Sequence, residues 1–78
     1  MPYTQDIVEE LNILVRYNLT TTQEGIKVHK TATPEIINAT QRLYDKGLIS
    51  QKDGGYLTTL GREVAEQAQA ILDILKPA

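Results

Sequence analysis

Residues 44–63 read YDKGLISQKDGGYLTTLGRE, and they punctuate the chain more sharply than any other segment. Gly47 is placed to end a helix, with Leu48 set to touch Leu43 in the hydrophobic contact of a Schellman stop. LISQ and GYLT then flank KDGG. Asp53-Gly54 is a strong two-residue hairpin signal, because both central residues of a type I′ turn need positive φ. That register sets Ser50 opposite Leu57 and Gln51 opposite Tyr56. Thr58 or Thr59 then opens a helix, lined by Leu60, Val64, Ala68, Ile71, Leu72 and Leu75 and stopped by Pro77. With Ala65 and Ile74 its apolar arc is wider than a core-facing stripe requires.

Upstream, Thr33 caps a helix whose first position is Pro34, where a missing N–H costs nothing. Ile36, Thr40, Leu43 and Tyr44 form its inward stripe, with Ile37 beside it. Near the N-terminus Thr4 is an N-cap, and Tyr3 and Val8 are spaced as a hydrophobic staple. Ile7, Val8, Leu11, Leu14 and Val15 recur at helical period, so a helix is expected from about Gln5 to Tyr17, with Asn18 as a left-handed terminator. Ile13 and Tyr17 lie off that stripe, as two partly exposed residues or as a contact for a partner chain. TTTQEG, Thr20 to Gly25, is the linker-like piece. After it Ile26 and Val28 alternate with Lys27 and His29, which predicts a short third strand; a capping box at Thr21 and Glu24 would instead open a short helix, weakened by Gly25.

The sequence therefore predicts one domain over residues 1–78, mainly α with a small antiparallel β-hairpin or sheet (α+β), in the order helix, strand, helix, hairpin, helix. With 78 residues and 41% hydrophobic residues, its core is small, and oligomerisation is a common remedy. A homodimer is expected, through Ile71, Leu72 and Leu75 with Ile13 and Tyr17. The absence of cysteine excludes disulfides and thiolate metal sites. No apolar run is long enough to span a bilayer, and the N-terminus lacks the pattern of a signal peptide, so a cytoplasmic protein without membrane contact is expected.

Leu43, Gly47, Leu48, Ile49, Tyr56, Leu57, Thr58 and Gly61 fill a pattern that resembles the winged helix-turn-helix family. There a recognition helix ends in glycine and two apolar residues, followed by a two-stranded wing and Leu-Thr with a glycine at the next helix start. The TTQEGIKVH and ATQRLYDKGLI stretches, with the hairpin, are similar to a small uncharacterised family of short gammaproteobacterial proteins described as DNA-binding. The resemblance implies a bacterial DNA-binding protein, a small transcriptional regulator. It departs from the pattern at Thr22 to Ala32, where a positioning helix belongs and a strand is predicted.

On that implied geometry the Pro34 helix enters the major groove of double-stranded DNA, with Asn38, Gln41 and Arg42 near bases, the residue types that read base edges. Lys46 and Lys52, with Lys27 or Lys30, sit near the backbone. Replacing Arg42 is expected to weaken the preferred sequence most. Against this, Glu35 and Asp45 repel phosphate, and Arg42 can pair with Asp45 along a solvated face. Net charge is −2 overall, yet Thr20 to Arg62 sets six cations against four acids. The rival expectation is a protein-interaction module that keeps the scaffold without nucleic-acid binding. No catalytic constellation, metal spacing, cofactor motif or small-molecule ligand is predicted; His29 is the only histidine, and Gly54-Gly55 lacks the helix start of a phosphate loop.

Overall fold

The computed structural model describes residues 2–20 and 24–77. Its elements are α1 (Gln5–Leu14), β1 (Ile26–Lys27), α2 (Pro34–Asp45), β2 (Ile49–Gln51), β3 (Gly54–Leu57) and α3 (Thr59–Leu75). The expected α+β class and element order hold. Strands pair antiparallel in the order β1-β3-β2, so the alternating segment after the linker adds an edge strand to the hairpin. The described residues of 24–32 form no helix; Thr21 lies outside the described residues, and so does its capping box.

Each helix begins on a threonine. The hydroxyls of Thr4, Thr33 and Thr58 accept the backbone N–H three residues on, at 3.2, 3.4 and 3.0 Å, satisfying a donor that the first turn leaves open. Helix α2 stops as expected. Gly47 takes φ +76°, Leu48 N–H donates to the Leu43 carbonyl at 3.0 Å, and Gly47 N–H donates to Tyr44 at 3.0 Å. These are the two bonds of a Schellman stop.

Four local expectations are corrected. Helix α1 ends at Leu14, and Arg16 and Tyr17 then bond back only three residues, to Ile13 and Leu14. No described non-glycine residue has positive φ, so Asn18 is not a left-handed terminator. Its side-chain oxygen accepts from Thr20 N–H at 3.0 Å, an Asx turn that competes with helix continuation. In the hairpin the turn residues are Lys52 and Asp53, and the positive φ falls on Gly54 and Gly55. Ile49 pairs Leu57 and Gln51 pairs Gly54, with a bulge between them in place of the expected Ser50–Leu57 and Gln51–Tyr56 register. Ser50 Oγ accepts the Tyr56 N–H at 2.9 Å, which supplies the bulged strand with a bond its ladder omits.

The core joins Ile13, Leu14, Tyr17, Ala39, Leu43, Leu48, Ile49 and Ala65. Ile13 and Tyr17 are therefore interior residues of one chain, and their expected place on a dimer surface is corrected. Helix α1 is wedged between α2 and α3, so it buries an arc through Glu10, Ile13, Leu14 and Tyr17, rotated away from the Ile7–Val8–Leu11 stripe. The Tyr17 hydroxyl is buried without a hydrogen-bond partner, and burial pushes its pKa up to about 12. Thr40, also buried, satisfies its hydroxyl by donating to the Ile36 carbonyl at 2.7 Å. On α3 the expected inward place of Leu60 is corrected, while Ala65 and Ala68 are buried as expected. The buried residues of the helix are Gly61, Ala65 and Ala68, whereas Leu60 is 52% exposed. Small residues let α3 approach the core closely with Val64 packed beside them, and Leu60, Ile71, Leu72, Ile74 and Leu75 are left on the outer side.

Candidate nucleic-acid interface

The sheet edge, the loop into α2 and the hairpin tip meet on one side of the molecule. Val28 N–H donates to the Asp53 carbonyl at 2.7 Å, which staples the end of β1 to the hairpin turn. Ala32 N–H donates to His29 at 3.0 Å, so the chain turns there before α2 begins. Between loop, α2 and hairpin lies a groove of about 380 Å³ whose lining includes His29, Lys30, Gln41, Lys52 and Asp53. A shallower recess beside it is lined by Arg16, Lys27 and His29 among others.

The structure thus brings together Lys30, Gln41 and Lys52 of the expected residues, with Lys27 in the neighbouring recess. Asn38 is exposed on α2 and lines neither. Two residues that sequence reasoning did not assign, His29 and Arg16, join them. The alternation that sets His29 on the same side as Lys27 carried the signal for His29. Nothing local carried it for Arg16, which reaches this region only because the chain folds back after α1. Against these cations stands one groove carboxylate, Asp53.

Arg42 and Lys46 line neither the groove nor the recess. Both turn toward α1. Arg42 Nε donates to Glu10 Oε2 at 2.8 Å, Lys46 Nζ donates to Glu10 Oε1, and Arg42 Nη2 also reaches the Asp6 carbonyl at 3.3 Å. Ion pairs to Asp6 at 3.7 Å and Glu9 at 3.8 Å complete the cluster. Arg42 pairs with these acids rather than with Asp45, because packing α1 on α2 brings a carboxylate row against it. The hydrogen bond to Glu10 holds the guanidinium more firmly protonated.

Glu10 is the centre of this cluster, its side chain only 7% exposed. Burial pushes its pKa up, but the hydrogen bonds and charges of Lys46 and Arg42 outweigh burial, so the net pKa lies below the ordinary 4.5. A depressed folded-state pKa means the carboxylate contributes fully above about pH 4.5 and loses that contribution as pH falls through the folded value. Glu10→Gln is expected to lower stability at pH 7 by about 1–3 kcal/mol, near the lower end because solvent reaches Lys46 and part of Arg42. It should also flatten the fall in stability below pH 4.5. Urea titrations across pH read both effects; an unchanged acid limb would show that Glu10 is not ion-paired in the folded state.

Among the described residues no group of three His, Cys, Asp or Glu side chains is placed to hold a metal ion. Among the described residues no helix is long and apolar enough to cross a membrane. No curated protein and no solved structure matches the chain. Residues 1–76 do match one family model, described as a family of unknown function, and by that match the chain belongs to DUF5669.

Proposed function

We propose that the chain is a cytoplasmic DNA-binding protein built on a winged-helix plan, acting as a small regulator. Contact falls on the β1–α2 loop, the middle of α2 and the hairpin tip. The observation that carries this reading is the convergence of His29, Lys30, Gln41 and Lys52 on one groove. Lysines there neutralise phosphates, and an amide such as Gln41 can read an adenine edge. The helix–strand–helix–hairpin–helix order supports it, since the wing and second helix then flank the same groove.

The cations are few, so affinity is modest and its fall with salt shallow, because the salt slope counts neutralised phosphates. Lys30→Ala and Lys52→Ala are expected to weaken all duplex sequences about equally, since backbone contacts carry no sequence information. Arg42→Ala is expected to act on stability instead of on binding, reversing the role its residue type suggested. Fluorescence anisotropy with mixed duplex fragments at low salt is the measurement. Absence of association at about 100 μM protein, where even non-specific binders register, would reject the DNA reading.

A second reading, a protein-interaction module without nucleic-acid binding, is favoured by the same ionic cluster. Arg42 and Lys46 are neutralised by α1, while Glu35 and Asp45 stay exposed on α2. A null binding result would leave this reading in place.

A further inference from the structure

On the side where α1 and α3 diverge lies an apolar groove of about 350 Å³. Val8, Leu11 and Val15 form one wall, and Ala68, Ile71 and Leu72 the other. Leu75 stands at its edge, 76% exposed, and beyond it Ile74 is 80% exposed on the last turn of α3. We infer that this groove and the end of α3 form the contact between two copies of this chain, each copy's Ile74 and Leu75 packing against the other's groove in a two-fold dimer.

Three observations select a second copy as the occupant. The first is shape and chemistry: the groove needs an apolar helical segment, and the end of α3 is such a segment left without cover in the same molecule. A two-fold axis satisfies both at once, because each copy then offers the segment and receives it. The second is area. Ile71, Leu72, Ile74 and Leu75, with Tyr3 and Val8 at the groove mouth, expose on the order of 700 Å² per copy, a ceiling on what the contact buries that is within reach of the roughly 800 Å² per partner of a standard interface. The third is charge. A chain of net charge −2 would repel its copy if acidic faces met. Asp6, Glu9 and Glu10 instead lie toward α2, where Arg42 and Lys46 offset two of their three charges, away from the groove. The groove is lined by apolar residues apart from Asn12, and it carries no charged side chain. The groove itself meets an identical groove without repulsion, and at the end of α3 Asp73 is paired with Lys76 at 3.7 Å.

Sedimentation equilibrium of the full chain at micromolar concentration tests this. The expected mass is twice the 8.7 kDa of one chain. Ile74→Lys and Leu75→Lys each place a charge in the interface while touching little inside a single copy. Both are expected to give the single-chain mass with an unchanged circular dichroism spectrum. Lys52→Ala, outside the groove, is expected to remain dimeric, so the result is independent of DNA binding. A monomer mass for the wild-type chain, or a dimer that survives both lysine substitutions, would overturn the assignment.

Discussion

Leu43→Ala is expected to reduce the free energy of unfolding by about 2–5 kcal/mol, enough to leave much of the chain unfolded at 37 °C. Leu43 is 0% exposed and sits where α1, α2 and the hairpin root converge, among Ile13, Leu14, Tyr17, Leu48 and Ile49. Truncation removes the transfer energy of the lost methyl groups and leaves a cavity, because close-packed neighbours relax only in part. The neighbours here have little freedom to close it. Leu48 is tied by its N–H to the Leu43 carbonyl, and its own carbonyl accepts from Thr58 N–H at 3.1 Å. A domain of this size has about 5 kcal/mol in total, so one such loss is a large share. Urea or thermal unfolding followed by circular dichroism gives the value. A loss under about 1 kcal/mol would mean that the site collapses freely and that the core is less tightly organised than described.

Gly61→Ala is expected to destabilise by about 2–3 kcal/mol or more, with the sign opposite to the usual one. In an exposed helix interior, alanine is favoured over glycine by about 1 kcal/mol. A Cβ at Gly61, however, would lie 1.8 Å from the Leu48 carbonyl oxygen and 2.7 Å from its carbonyl carbon. Both are backbone atoms, so no side chain can swing aside. The first turn of α3 would have to lift from the strand root, breaking the Thr58 N–H bond to Leu48 and the bond from Thr58 Oγ1 to the Gly47 carbonyl at 2.6 Å. Overpacking against fixed backbone costs at least this much. The melting temperature of the variant against wild type measures it; an unchanged or raised value would show that α3 does not press on Leu48.

The sequence by itself determined what depends on residues a few positions apart. Thr4, Thr33 and Thr58 cap their helices because the donor each hydroxyl meets lies three residues on. Gly47 stops α2 because a left-handed residue there lets Leu48 bond back to Leu43. Alternation from Ile26 onward was enough to give β1, and with the caps it gave the element order. Tertiary structure alone decided which faces are inside. Periodicity places an apolar stripe on α1, but α1 touches both α2 and α3, so Ile13 and Tyr17 are buried and the nominal stripe borders a groove. A carboxylate in the buried arc looks like a solvated residue until Arg42 and Lys46, more than thirty residues away, are brought to it. The same packing that makes Glu10 tolerable inside ties Arg42 and Lys46 to α1, and it leaves Lys30 and Lys52 beside His29 and Gln41. On α3 the expected arc holds at Val64, Ala65 and Ala68, but Gly61, which hydrophobicity did not select, faces the core while Leu60 stays exposed, because the gap against the Leu48 backbone is too narrow for a side chain. Local bonds are written in neighbouring residues, whereas a face is chosen by the sum of all the contacts available to it, and those contacts join parts of the chain that only the fold brings together.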